Sequence, residues 1–385
     1  MQSKENALLA FLLTFFLLWT CALSLHAETP DNAPFSVECA SAVLMDSETC
    51  AVLYAKNADQ ALPPASVTKV MTLLLVMEAV DSGNLPLDET VAVSEYAASM
   101  GGSQVYLEPG ESMSVEEMLK CVIISSANDA AVALAEKVGG SEEAFVARMN
   151  ERAAELGMAN THFENVTGLD DDTVDHKTSA LDIAIMSREL LKHPKILEYS
   201  SIWMDTIRNG AFGLTNTNRL IRFYDGATGL KTGSTSKAKF CISATAKRDG
   251  LHLIAVIMGA PTRDIRNETA KTLLDWGFAN YSLYRHEGGS VGEASVIGGV
   301  ADTCPGGIEP YSMLMAKGKH KNVTTEILFD ENIPAPIRKG EKIGIVRFLE
   351  SGEILTEVPI LAEADVEKIG FFGLFCRMLG IYLLK

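Results

Sequence analysis

Three short motifs in the sequence combine residue types that can perform acyl transfer. The first, S-x-x-K, covers Ser66–Lys69; the second, S-x-N, covers Ser126–Asn128; the third, K-T-G, covers Lys231–Gly233. In the first motif the serine and the lysine stand three residues apart, and on a helix this spacing places both side chains on one face. A serine hydroxyl becomes a nucleophile when an adjacent group removes its proton. The spacing therefore indicates a serine nucleophile that is activated by a lysine.

The segment around this first motif is predicted to be a buried helix from Ser66 to Val80, opened by Pro63-Pro64, because it is apolar on nearly every side. An ammonium group on such a helix must find a partner, reach solvent or lose its proton. Loss of the proton would make Lys69 a base for Ser66. The free N–H groups and the positive dipole end at the helix start would stabilise negative charge on the serine oxygen.

Motifs this short also occur by chance. The chain holds a second S-x-x-K at Ser234–Lys237 and a second S-x-N at Ser82–Asn84, and we interpret both as accidental. The alternative interpretation of Lys69 is a surface lysine on a buried helix.

Together the three motifs resemble those of the penicillin-recognising serine enzymes, which are D,D-peptidases and serine β-lactamases. The middle motif of that group reads Ser-Asp-Asn, whereas this chain has Ser-Ala-Asn. The flanking sequence is similar to the low-molecular-mass D-Ala-D-Ala carboxypeptidases from about residue 35 to 284, and more weakly beyond. The segments that resemble this family are Pro64–Lys69, Gly101–Ser103, Leu107–Gly110, Ser126–Ala130, Asn165–Leu169 and Asp225–Thr235.

The resemblance implies four catalytic residues. Ser66 attacks the carbonyl between two D-alanines, and Lys69 is the general base for acylation. Ser126 and Lys231 relay a proton to the leaving D-alanine. The activity implied is removal of the terminal D-alanine from peptidoglycan stem pentapeptides through an acyl-enzyme, with β-lactams as covalent inhibitors and no cofactor or metal.

The resemblance also implies a set of substrate-binding residues. Asn128 holds the substrate amide, and the backbone N–H groups of Ser66 and Ser234 form an oxyanion hole. The residues implied to hold the substrate beside the K-T-G strand, including its terminal carboxylate, are Thr232, Gly233, Thr235 and Arg266. Arg263 and Arg248 are alternatives to Arg266.

Length and composition are those of a globular protein of two or three domains, and the resemblance implies the α/β class. The chain has 385 residues, 47% of them hydrophobic, and a net charge of −17, which argues against nucleic acid as a partner. The resemblance implies a β-lactamase/D,D-peptidase-like α+β domain at residues 28–284, with an antiparallel sheet flanked by helices. A composition shift near residue 285 predicts a small β-rich domain at 285–364.

Both ends of the chain are apolar. Residues 1–27 are predicted to be a cleaved signal peptide, with an uncleaved membrane anchor as the alternative. Residues 365–385 are predicted to form an amphipathic helix that lies on the membrane, with Arg377 and Lys385 reaching the head groups. Packing of this helix on the β-rich domain and a short true span are the alternatives. The protein is therefore expected at the outer face of the cytoplasmic membrane.

Other polar residues are predicted to carry no chemistry. The histidines form no metal-binding pattern, the spread of the cysteines assigns no disulfide, and Asp170–Asp172 is interpreted as a solvated loop. Three rival functions stay open: a β-lactamase, in which Glu164 would activate water, a D,D-endopeptidase acting on cross-links, and a non-catalytic wall-binding protein. The absence of the spacing Glu-x-x-Leu-Asn counts against the first.

Overall fold

A computed structural model describes residues 35–383. The predicted signal peptide and Lys385 lie outside the described residues. The chain divides between Ala279 and Asn280 into two compact units, which we call unit 1 and unit 2. The boundary expected between residues 284 and 285 falls within the first strand of unit 2, Tyr281–His286.

Unit 1 is built on a five-stranded antiparallel sheet in the order β2-β1-β9-β8-β7. Its strands are β1 (Ser41–Asp46), β2 (Val52–Lys56), β7 (Ala227–Thr235), β8 (Lys239–Arg248) and β9 (Leu251–Ala260). Two small hairpins pair β3 (Thr90–Ala92) with β4 (Ser112–Ser114) and β5 (Met204–Ile207) with β6 (Phe212–Thr215). The K-T-G motif lies on β7, which is an edge strand and therefore open to a ligand on one side.

The helices of unit 1 supply most of its apolar core. They are α1 (Lys69–Asp81), α2 (Glu95–Ala98), α3 (Val115–Ile124), α4 (Asn128–Gly139), α5 (Glu142–Glu155), α6 (Ala180–Leu191), α7 (Pro194–Ser200), α8 (Leu220–Phe223) and α9 (Arg263–Asn280). Serine side chains accept hydrogen bonds from the first turns of α3, α5 and α6, which satisfies otherwise free N–H groups. Helix α1 has no such cap, and burial on all sides holds it in place instead.

The start of α1 differs from the prediction. Ala65–Thr68 forms a 3-10 turn, and the α-helix begins only at Lys69. Ala65 has a φ of +51°, outside the right-handed helical region, so the first turn cannot be regular α-helix. Ser66 therefore lies in a tight turn whose backbone N–H groups are not all used within the helix.

Unit 2 is β-rich, as predicted. A six-stranded sheet has the order β14-β16-β17-β12-β11-β15, and a two-stranded sheet pairs β10 with β13. The strands are β10 (Tyr281–His286), β11 (Gly289–Ile297), β12 (Thr303–Ile308), β13 (Tyr311–Ala316), β14 (Val323–Phe329), β15 (Ile333–Pro334), β16 (Lys342–Glu350) and β17 (Glu353–Ala362). Its core centres on Phe348, against which the Tyr284 and Tyr311 rings pack.

The tail enters unit 2 before it becomes a helix. Val366 is buried in the core of unit 2 and pairs with Ile337. Helix α10 (Phe371–Leu383) begins six residues after the expected start at 365. Within residues 35–383, no helix combines the length and the hydropathy that crossing a membrane requires.

Candidate active site

The three motifs meet in one cleft of unit 1. The 3-10 turn that contains Ser66 packs on β7, which brings the first motif to the K-T-G strand. The turn before α4 brings Ser126 from the opposite side. The cleft is lined by Ser66, Ser103, Ser126, Thr217, Thr232, Gly233, Ser234, Arg263 and Arg266.

The amine of Lys69 is fully buried and has three hydrogen-bond partners. Its Nζ lies 3.0 Å from the Ser66 Oγ, 2.5 Å from the Asn128 Oδ1 and 2.8 Å from the carbonyl oxygen of Thr167. Burial, followed by the nearby charge of Lys231, holds the pKa of Lys69 well below its usual range, and the Asp129 carboxylate opposes this shift only in part.

This set of partners suits a neutral amine. A neutral lysine amine has two N–H donors and one lone pair. The amide oxygen of Asn128 and the carbonyl oxygen of Thr167 can only accept, so they take the two N–H groups. The lone pair is then left for the Ser66 hydroxyl, which can donate its proton. The geometry therefore matches a base that is ready to deprotonate the serine.

Ser126 and Lys231 form a second serine–lysine pair across the cleft. The Lys231 Nζ donates to the Ser126 Oγ at 2.7 Å and to the carbonyl oxygen of Thr232 at 2.8 Å. Burial, and to a lesser extent the charge of Arg266, lowers the pKa of Lys231 to about 7. A lysine with that pKa can both give and take a proton near neutral pH. Ser126 has a φ of +64°, a left-handed conformation that is uncommon for serine and that turns the chain at the cleft wall.

Asn128 is held by the Gly101–Ser103 segment. Its Nδ2 donates to the Gly101 carbonyl at 2.7 Å, and its backbone N–H donates to the Ser103 carbonyl at 2.7 Å. The next residue, Asp129, accepts from the backbone N–H groups of Val105 and Leu107. These bonds fix the amide so that its oxygen faces Lys69.

Close approach of two backbones explains Gly233. A Cβ at this position would lie 2.9 Å from the backbone nitrogen of Ser66 and 2.9 Å from the carbonyl oxygen of Pro64. Any side chain at this position would push β7 away from the turn that contains Ser66.

Arginines occupy one end of the cleft. Arg266 lines the cleft, is 3% exposed, and donates to the Asn267 side chain and the Cys241 carbonyl. Arg263 is exposed and also lines the cleft. Arg248 does not line it, because its guanidinium contacts Asp225, Asp275 and the Tyr224 ring elsewhere.

The two threonines near the K-T-G motif differ in their partners. Thr232 donates to the Thr217 hydroxyl at 2.8 Å, within the cleft lining. The Thr235 hydroxyl donates to the carboxylate of Asp170. The interpretation of Asp170–Asp172 as solvated is therefore wrong for Asp170, which is 7% exposed, whereas Asp171 and Asp172 are exposed.

Sequence reasoning missed several groups at the site. Thr167 takes part through its backbone carbonyl oxygen. Every residue has this group, so the residue type does not indicate it. Thr217 and Ser103 line the cleft, and only the Gly101–Ser103 resemblance pointed to one of them. Glu164 is not among the lining residues; its carboxylate accepts from the backbone N–H groups of Val174 and Asp175.

Solved structures with the same architecture define the class of this protein. It matches penicillin binding protein 5 from Haemophilus influenzae with a TM-score of 0.78 and 31% identity, covering 87% of this chain and 99% of that one. It also matches penicillin-binding protein D2 from Listeria monocytogenes in an ampicillin-bound form, with a TM-score of 0.59 and 32% identity, covering 64% of this chain and 100% of that one. The fold is that of a penicillin-binding protein.

Sequence comparison gives the family. The peptidase S11 family model, described as D-alanyl-D-alanine carboxypeptidase, matches residues 26–262, and a penicillin-binding protein 5 C-terminal domain matches residues 278–368. The D-alanyl-D-alanine carboxypeptidase DacF of Bacillus subtilis is 44% identical, covering 97% of this chain and 98% of the relative. DacC of Escherichia coli is 33% identical over 93% of this chain and 91% of the relative. The chain belongs to the D-alanyl-D-alanine carboxypeptidase family, peptidase S11, and is a hydrolase that acts on peptides.

Proposed function

We propose that this enzyme removes the terminal D-alanine from peptidoglycan stem pentapeptides through an acyl-enzyme on Ser66. The observation that carries the proposal is the buried Lys69 amine. It lies 3.0 Å from the Ser66 hydroxyl, and its other two partners are groups that can only accept hydrogen bonds.

In the acylation step, the Ser66 oxygen attacks the carbonyl carbon between the two D-alanines, and its proton moves to the lone pair of Lys69. The backbone N–H groups of Ser66 and Ser234 stabilise the resulting oxyanion. The C–N bond then breaks, and the leaving amine receives a proton through Ser126 and Lys231, which are hydrogen-bonded to each other. Water completes the cycle by hydrolysing the ester on Ser66.

Recognition of the substrate is proposed to use both sides of the cleft. Asn128 holds the substrate amide through its Nδ2. Arg266 binds the terminal carboxylate, with Arg263 as a second cation beside it, and Thr232 adds its hydroxyl only when its bond to Thr217 opens. Thr235 contributes its hydroxyl to this carboxylate only when the bond to Asp170 opens, because a hydroxyl has one proton to donate.

A free carboxylate favours carboxypeptidase over endopeptidase activity. Two arginines line the cleft, and a cationic pocket favours a substrate whose residue beyond the scissile bond ends in a free carboxylate over one in which that carboxyl group continues as an amide. β-lactams acylate Ser66 in the same way as the peptide. A β-lactamase function has less support, because the Glu164 carboxylate is engaged by backbone N–H groups of its own loop.

We further propose that the protein is exported and attaches to the outer face of the cytoplasmic membrane through α10. The large apolar side chains on this helix are exposed: Phe371, Phe372, Leu374, Phe375, Met378 and Leu379. An apolar surface of this kind on a helix is suited to the acyl boundary of a membrane. Arg377 was expected to reach the head groups, but it donates to the Asp302 carboxylate and the Val300 carbonyl. Lys385 lies outside the described residues.

The test is peptide cleavage by the purified enzyme, with Ser66→Ala as the inactive control. A stem pentapeptide should release one D-alanine, whereas a cross-linked dimer and a pentapeptide with an amidated C-terminus should be cut much more slowly. Ser66→Ala should also lose covalent labelling by a fluorescent penicillin, while Ser236→Ala, an exposed serine two residues beyond the cleft-lining Ser234, should keep it. Labelling of folded Ser66→Ala would disprove the nucleophile, and equal cutting of all three peptides would disprove the preference for a free carboxylate.

A further inference from the structure

A buried carboxylate outside the catalytic motifs connects the loop after residue 165 to the end of β7. Asp170 follows the segment 165–169, and two of its groups bond to the region where β7 ends. Its carboxylate accepts the Thr235 hydroxyl, and its backbone carbonyl accepts the Lys237 Nζ at 2.5 Å. The Thr235 oxygen in turn accepts the backbone N–H of Ala238 at 3.0 Å. We call these two bonds to Asp170 the clasp.

The segment that the clasp holds also contacts the base. The Thr167 carbonyl accepts from the Lys69 Nζ at 2.8 Å, and the Val166 carbonyl accepts from the Thr72 hydroxyl at 2.7 Å. Within the segment, Asn165 bonds to the backbone of Thr167, Gly168 and Leu169. This internal bonding makes residues 165–169 a stiff unit, so a restraint at one end is transmitted to the other.

The position of the Thr167 carbonyl matters because it decides where the lone pair of Lys69 points. The Asn128 amide oxygen and the Thr167 carbonyl oxygen accept the two N–H groups of the neutral Lys69 amine. The lone pair of the amine points toward Ser66 only when both acceptors are in place. Asn128 is fixed by the Gly101–Ser103 segment. Thr167 lies on a loop, and its restraint on the far side is the clasp.

We propose that Asp170 is a positioning residue for catalysis: the clasp ties segment 165–170 to the end of β7 and thereby holds the Thr167 carbonyl against the Lys69 amine. This inference rests on the proposed function, because it takes Lys69 as the base. The same closure keeps water from Lys69 on that side. Opening the clasp therefore misplaces the lone pair and hydrates the amine.

The sign of the pH effect follows from the charge state that catalysis requires. Acylation needs the neutral amine, so its rate falls as the pH drops through the pKa of Lys69. Water at Lys69 relieves the burial that depresses this pKa, so the acid limb of the rate profile moves to higher pH.

Other charged groups face the same region. The charge of Lys231 lowers the pKa of Lys69, and the charge of Asp129 raises it. The acid limb of the rate profile therefore reflects several coupled groups, and the quantity to compare is its position in each variant relative to the wild type. On the loop, burial lowers the pKa of His176 to about 4, so this ring stays neutral over the useful range. Lys237 is exposed and reaches the loop only through the Asp170 carbonyl.

The experiment measures the second-order rate of acylation by a fluorescent penicillin against pH, with the full chain and with Asp170→Ala. We expect the acid limb of Asp170→Ala to move up by about one pH unit, which is about a tenfold loss of rate below the limb, with recovery at high pH. Asp170→Asn keeps an acceptor for Thr235 and should follow the wild type. Asp171→Ala removes the same charge from the exposed neighbour and should also follow it.

Three results would overturn the proposal. They are an Asp170→Ala profile that superimposes on the wild type, a loss that is equal at every pH, and an Asp171→Ala profile shifted as far as that of Asp170→Ala. If Asp170→Ala does not fold, as judged by its melting temperature, Lys237→Met removes the other bond of the clasp and must shift the limb in the same direction. Labelling of Ser66→Ala would instead disprove the proposed function itself, whatever Asp170 does.

Discussion

At the scale of single residues, the proposed chemistry depends on keeping two lysines buried without acidic hydrogen-bond partners. Within residues 35–383, the hydrogen-bond partners of the Lys69 and Lys231 amines are neutral hydroxyl, amide and carbonyl groups. An ion pair would stabilise each ammonium and raise its pKa, whereas burial among neutral acceptors lowers it. This arrangement favours the proposed proton transfer, and it lacks the stabilisation that an ion pair would provide.

Replacing Lys69 with arginine tests this requirement. Arginine keeps the positive charge but stays protonated in proteins, so it cannot accept the Ser66 proton. We expect acylation by a fluorescent penicillin to slow by about 10²–10⁴-fold, the usual contribution of a general base. Lys120→Arg is the matched control, because Lys120 forms a surface ion pair with Asp205 and should acylate normally. An arginine variant that acylates at the wild-type rate would make Lys69 a structural residue.

At the scale of elements, the cleft depends on backbones that pack without side chains between them. Gly168 has a φ of +80°, and a Cβ there would lie 1.8 Å from the Ala65 carbonyl oxygen, beside the 3-10 turn that contains Ser66. Gly233 allows β7 to approach the same turn, where an added Cβ would lie 2.9 Å from the Ser66 nitrogen. The nucleophile turn is therefore held between two glycines on separate elements.

Gly168→Ala should consequently affect both stability and rate. Gly157→Ala is the matched control, because Gly157 has a φ of +73° but nothing within 4 Å of its added Cβ. The control should lose only the conformational cost of a left-handed alanine, about 1–2 kcal/mol, and should label normally. We expect Gly168→Ala to lose at least about 2 kcal/mol more, since a backbone must move, and to label more slowly. Urea unfolding and penicillin labelling of both variants measure this, and equal losses would show that the contact is unimportant.

At the scale of the whole molecule, the tail combines two different roles in one short stretch. Val366 belongs to the core of unit 2, and the Ile369 N–H donates to the Gly298 carbonyl. From Phe371 onward the described side chains are mostly exposed and apolar, and Phe371 itself is 88% exposed. A cut within 365–370 would damage unit 2, whereas a cut after Gly370 removes the helix together with the bonds of Arg377 to Asp302 and Val300.

We predict that the chain without its signal segment binds anionic phospholipid vesicles and that truncation after Gly370 abolishes this binding. The apolar face of α10 supplies the affinity, because each buried apolar group contributes to partition into the acyl boundary. Sedimentation with phosphatidylglycerol vesicles measures the bound fraction, and penicillin labelling checks that the truncated enzyme is intact. Phe371→Ser/Phe372→Ser is a matched variant that keeps the helix and should bind weakly. Full binding by the truncated chain would place the attachment elsewhere.

Much of this molecule was determined by local sequence. The apolar run of α1, the hairpin signal at Arg248-Asp249-Gly250 between β8 and β9, and the short Val/Ile runs of unit 2 each specify an element by periodicity or turn chemistry. Ser66 and Lys69 could be paired from sequence because they stand one helical turn apart. Their side-chain types indicate a serine nucleophile that is activated by a lysine.

Only the tertiary structure decided which distant groups complete the site. Lys69 and Thr167 are 98 residues apart, Ser126 and Lys231 are 105 apart, and Asp170 and Thr235 are 65 apart. Thr167 acts through a backbone carbonyl, which every residue has, so no residue type could reveal it. Asp170 looks like its exposed neighbours in the sequence, and Arg263 and Arg248 are alternatives to Arg266 there. The burial and the orientation of each side chain distinguish these residues from one another. Both are set only when the loop, the helix and the edge strand pack together.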